Sequence, residues 1–191
     1  MKRLMLAIRE MLLRLSDAVL RFPLTVLCLL GAAILTCYMI SLHDPADLLL
    51  QKLMFTFIVG AFLGVTAQFA CERFTRLAGA RLVVYAVSAL LTVGYYFIIA
   101  PAPAIDFGVG GRTSVAVFSM FCAFIWLPSF KGTEDFNTVA LIHFKSAVIA
   151  VLYAGVLAVG LAAIIGSVDI LLFDVSNDAY AYMMAIVWIL F

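Results

Sequence analysis

Few side chains in this sequence could do chemistry, and their spacing narrows what that chemistry could be. Asp169 stands near the end of a long apolar run, and an ionisable group in such a run is the default functional candidate of a membrane protein. By helix rise it lies about 36 Å from Lys145, more than the ~30 Å of a bilayer core, which puts it at the outer interface. There it is expected to be hydrated, to pair with Arg112 or to touch a ligand. Gln68 is the one strongly polar group inside another apolar run, where an interhelical hydrogen bond is expected ahead of a substrate contact. Glu72 precedes Arg73 and Arg76, and the expectation there is an exposed ion pair with these neighbours. His43 and His143 fall on opposite sides of the topology derived below, so they cannot share a metal or act as one acid–base pair. Cys28, Cys37, Cys71 and Cys122 lack metal-ligand spacing and read as small buried hydrophobes. Gly108-Val109-Gly110-Gly111 resembles a phosphate cradle but follows no strand, and it reads as part of a flexible loop over Pro101–Arg112. No catalytic residue, cofactor site or metal site is expected, and the chain reads as non-enzymatic.

The elements that position these residues follow from composition. The chain has 191 residues, 66% of them hydrophobic and 12% charged, with a mean hydropathy of +1.20. That is too few polar groups to coat a water-soluble domain. Apolar runs of about 20 residues, the length that crosses a bilayer, occur at about 22–42, 48–71, 82–100, 113–128 and 145–173. The predicted fold is an all-α polytopic transmembrane helical bundle of five full spans and a partial sixth from 179 to 191. Residues 1–21 place Arg3, Glu10, Arg14, Asp17 and Arg21 on one helical face, which predicts an amphipathic helix in the interface, against anionic lipids. Thr133 is a candidate cap for the helix of the fifth span, with Glu134 and Asp135 suiting its positive end.

Ten of the twelve Lys and Arg residues fall in every second gap between spans, and the alternate gaps hold only Lys52 and Arg112. Basic residues are retained on the cytoplasmic side, so the N-terminus is expected in the cytoplasm and the protein in the inner membrane. Tyr38, Tyr95, Tyr96, Tyr180 and Tyr182 then fall near one interface and Tyr85 and Trp126 near the other, in agreement with that orientation. The net charge of +1 leaves no basic face for nucleic acid.

Helices in lipid associate through small residues. The fifth span carries Ser146, Ala150, Ala154, Ala158, Ala162 and Gly166 at intervals of four, and the second carries Gly60 and Gly64. These ladders are expected to pack within the chain, one against the other, or to form an oligomer or partner interface. The last apolar stretch, Ala179–Phe191, is only thirteen residues long, about 20 Å of helix, so the sixth span is expected to continue in a longer protein.

Asp135-Phe136-Asn137, then Phe144 and the Ala/Gly-rich span ending Val168-Asp169-Ile170-Leu171-Leu172-Phe173, resembles the bacterial membrane family named domain of unknown function 4153. Arg21-Phe22-Pro23-Leu24 fits the same family's entry to its first span, and Tyr180, Tyr182 and Trp188 fit the span that follows. The resemblance implies a polytopic architecture and a longer parent protein, and it adds Asn137 to Asp169 and Gln68 as a candidate functional polar residue. It implies no activity. The expected function is a non-enzymatic membrane module for assembly, sensing or transport, with a transporter or channel subunit as the alternative and a membrane-embedded enzyme third.

Overall fold

The computed structural model describes residues 19–42, 47–74, 79–130, 135–171 and 176–190. Residues 1–18 of the proposed interfacial helix, His43, Arg76, Lys131, Thr133 and Glu134 lie outside the described residues.

The described residues fold as α-helices: α1 Pro23–Leu42, α2 Leu48–Arg73, α3 Arg81–Ile99, α4 Phe107–Ser129, α5 Phe136–Leu171 and α6 Asn177–Leu190. The first five are long and apolar enough to cross a membrane. Their outward faces expose residues such as Leu82, Phe107 and Val156, surfaces that a bilayer solvates and water does not. The chain is a multi-pass helical membrane protein.

The helices run alternately up and down, with α2 at the centre. Ten residues of α2 are buried, against three on each of α1, α3, α4 and α5. α2 packs against α1, α3 and α4; α5 packs on α4, and α6 closes back from α5 onto α1. The small-residue pattern explains the centre. A Cβ at Gly60 would sit 2.6 Å from Thr92 Cγ2 and 2.8 Å from Cys28 Sγ, and one at Gly64 would sit 2.9 Å from the Thr25 backbone nitrogen. The two glycines therefore admit α1 and α3 to backbone-level approach. The α5 ladder has a different partner: Ala154 and Ala158 are buried with Val187 of α6, and Met183 packs over them. Gly166 faces the Tyr180 hydroxyl, whereas Ala162 is half-buried and Ala150 faces α4. The two ladders thus do not meet, because α2 is already enclosed by α1, α3 and α4.

One boundary differs from the sequence expectation. Residues 107–112 are helical rather than loop. Asp106 caps α4, its Oδ1 accepting from the Val109 amide at 2.9 Å, and this cap outweighs the poor helix propensity of Gly108, Gly110 and Gly111. α2 starts where the second span was expected, capped by Asp47, which accepts from the Leu49 amide at 2.9 Å. Lys52, counted above with the charges of the gaps, lies in the second turn of α2 and is buried.

Candidate functional site

Polar side chains concentrate at the two ends of α2. At its C-terminal end Gln68 is fully buried. Its Nε2 donates to Glu72 Oε1 at 2.7 Å, one turn along the same helix, and its Oε1 accepts from the Tyr85 hydroxyl and, at 3.4 Å, from Arg81 Nη2. Donors on one side and a carboxylate on the other fix the amide's orientation. Glu72 is held by Arg21 through two bonds of 2.7 Å, Nε to Oε1 and Nη2 to Oε2. This is the planar, two-pronged pairing that guanidinium and carboxylate favour. The Arg21 guanidinium also lies 5.3 Å above the Phe22 ring, and Glu72 raises its pKa above the ordinary arginine value by hydrogen bonding and charge.

The network joins the entry to α1, the end of α2 and the start of α3. It corrects the expected pairing of Glu72 with Arg73, while Arg76 lies outside the described residues. Arg73 turns the other way and donates from Nε to the Phe130 carbonyl that ends α4. Arg21 is 51 residues from Glu72, a separation that sequence spacing could not bridge. The helical spacing of Gln68 and Glu72 was the legible half of the site.

At the other end Lys52 Nζ donates to the carbonyls of Ala100 at 2.6 Å and Ala102 at 2.7 Å. Ala100 is the C-cap of α3, at the helix's negative end, and Ala102 lies just beyond it, so an ammonium there is stabilising. The signal in the sequence was a lone Lys among Leu49, Leu50, Leu53 and Met54, a position no lysine would hold without acceptors. Beside it, Thr113 donates to the Val109 carbonyl at 2.9 Å, so its single proton is used and the Tyr95 hydroxyl donates across to Thr113 at 2.6 Å.

Between the clamps the polar groups serve packing. Thr56, Ser88 and Thr92 each donate to their own helix four residues back at 2.9 Å, and Thr25 reaches the Ala61 carbonyl at 3.3 Å. Ser88 and Thr92 are buried, Thr92 lying against Gly60 of α2. Asn137 is exposed in the first turn of α5, and Asp169 is half-buried in its last. The three candidate polar residues are therefore not gathered into one site. Among the described residues no group of three His, Cys, Asp or Glu side chains could hold a metal ion.

Two crevices open between helices. One, of about 790 Å³, lies between α1, α2 and the start of α6, with Met39, Met54 and Phe55 in its walls and Gln51 and Asp178 at its polar end. The other, of about 750 Å³, lies between α4 and α5 and includes His143.

Residues 30–191 match the family described as domain of unknown function (DUF4153). The chain belongs to the DUF4153 family. The match takes in all of α2 to α6 and most of α1, so both clamps except Arg21 fall inside the family region. No curated protein and no solved structure matches the chain.

Proposed function

We propose that this DUF4153 chain is a non-enzymatic membrane module, a scaffold that fixes helix positions for an assembly, sensing or transport-associated role. The observation that carries this reading is the use made of the polar residues at the core. Lys52, Gln68, Glu72, Thr25, Thr56, Ser88 and Thr92 satisfy helix ends, backbone carbonyls or one another, which locks α2 to α3 at both ends and α1 to them at the Arg21 end. Groups held this tightly serve rigidity, because moving any of them would strand a buried donor or acceptor. We place the module in a bacterial inner membrane, with the Arg21, Arg73 and Arg81 end in the cytoplasm, on the distribution of basic residues. A second copy or another membrane protein is the proposed partner, meeting the outer face of α5, where Val156 and Val159 are exposed.

The test is site-specific photocrosslinking from positions 156 and 159 in native membranes, run beside solute flux in proteoliposomes. Discrete protein adducts without flux support the scaffold. Flux through the purified protein, with no protein adduct from either position, overturns it. The alternative of a transporter or channel subunit has one observation in its favour, the crevice bordered by Gln51 and Asp178, and flux abolished by filling that crevice would establish it.

A further inference from the structure

The crevice between α4 and α5 has a polar end and an apolar end, and the sequence of α5 fixes where each lies in the bilayer. α5 has 36 residues, about 54 Å of helix, far more than a ~30 Å hydrocarbon core requires. Ala147–Gly166 is a 20-residue stretch without a charge, its sole polar side chain being that of Tyr153, and it matches that core in length. The residues before it, Asn137, Thr138, His143, Lys145 and Ser146, then occupy the headgroup layer. The crevice straddles this boundary. Ala147, Ala150, Phe121 and Ile125 line its part within the hydrocarbon, and His143 and Ser146 line its part at the headgroups.

His143 is held for one task. Its Nδ1 is 2.9 Å from the Val139 carbonyl, which can only accept, so Nδ1 carries the proton. With Nδ1 committed to Val139, Nε2 is the ring nitrogen left to meet a ligand, without a protein partner among the described residues. The ring is fixed edge-on to Phe124 at 4.6 Å between centroids, with Phe69 at 6.2 Å. Ser146, one turn further along α5, adds a hydroxyl to the lining of the crevice.

We infer that this crevice is a site for one glycerophospholipid whose headgroup carries a hydroxyl or ammonium donor. An acyl chain lies along Ala147 and Ala150, the head donor bonds to His143 Nε2, and the phosphate lies toward Ser146. The volume of about 750 Å³ falls within the range of ~300–1,000 Å³ usual for small-molecule sites. The occupant comes from the bilayer because the apolar part of the crevice opens inside the hydrocarbon, where a water-soluble ligand has no path. The inference rests on the membrane placement and not on the scaffold reading.

Native mass spectrometry of the whole purified chain tests it, with phosphatidylglycerol, phosphatidylethanolamine and phosphatidylcholine of identical acyl chains as probes. Phosphatidylcholine has the phosphate but no head donor. One hydrogen bond corresponds to a preference of about three- to ten-fold for the first two lipids. His143→Phe keeps the ring contacts and removes the acceptor, so it should erase that preference and leave phosphatidylcholine binding unchanged. Ala150→Trp fills the apolar part and should weaken all three lipids, whereas Leu90→Trp, at an exposed position on α3 outside the crevice, should weaken none. Helicity and melting of each variant in detergent separate loss of the site from loss of the fold. Equal retention of the three lipids by the wild type overturns the proposal, as does a preference that survives His143→Phe. Wild-type lipid binding by a folded Ala150→Trp variant also overturns it.

Discussion

Gly64→Ala should destabilise the bundle even though alanine is the better helix former. The added Cβ would sit 2.7 Å from Thr25 Oγ1 and 2.9 Å from the Thr25 backbone nitrogen. Ordinary contact begins near 3.4 Å, so α1 must retreat from α2 by about 0.5 Å. The neighbour is backbone, which has no rotamer to change. The retreat would also lengthen the 3.3 Å bond from Thr25 to the Ala61 carbonyl. Overpacking of this kind costs about 1–3 kcal/mol, and the gain in helix propensity returns about 1 kcal/mol, for a net loss of roughly 0–2 kcal/mol. Gly94→Ala on α3 is the matched control, because its Cβ meets nothing within 4 Å and only the propensity gain remains. The assay is equilibrium unfolding of both variants in detergent micelles, followed by helical circular dichroism. The expected order is Gly94→Ala, wild type, Gly64→Ala from most to least stable. A Gly64→Ala variant as stable as Gly94→Ala would refute the claim that glycine sets the approach of α1 to α2.

Lys52→Met should lower stability by about 1–3 kcal/mol and speed amide hydrogen exchange at residues 99–106, because the carbonyls of Ala100 and Ala102 lose their ammonium; unchanged exchange there would count against the clamp. In a double-mutant cycle, Arg21→Gln and Glu72→Gln should show a coupling on the order of 1 kcal/mol that shrinks with added salt, since the pair is partly exposed to solvent. Tyr85→Phe removes the shorter of the two donors to the buried Gln68 carbonyl oxygen and should cost about 1 kcal/mol in the same unfolding assay. For the orientation, cysteine at Asp106→Cys should be labelled from outside the cell only and at Arg76→Cys from inside only; the reverse pattern would invert the proposed topology.

The sequence alone determined the class, the number of spans and the small-residue helices, because each rests on local quantities. Twenty apolar residues cross a bilayer whatever they pack against, and a Gly60–Gly64 pair lets some helix approach closely. Membership in a polytopic family was legible for the same reason, in motifs such as Asp135-Phe136-Asn137 and the span ending Val168-Asp169. Which helix approaches was not legible. Gly60 meets Thr92 and Cys28, Gly64 meets Thr25, and Ala154 and Ala158 meet Val187, pairings decided by three-dimensional enclosure of α2.

The polar residues divide in the same way. Gln68 could be read as a partner in an interhelical hydrogen bond because an amide in hydrocarbon needs one, and it accepts from Tyr85 of α3. The tertiary structure alone brought Arg21 to Glu72 across 51 residues and Lys52 to Ala100 across 48, and it showed the residues after Asp106 to be helix. Local pattern fixes where a chain can lie in a membrane, since the bilayer acts on each segment separately. Contacts between segments depend on the shapes of all the others, and they decided where the polar groups of this chain are held.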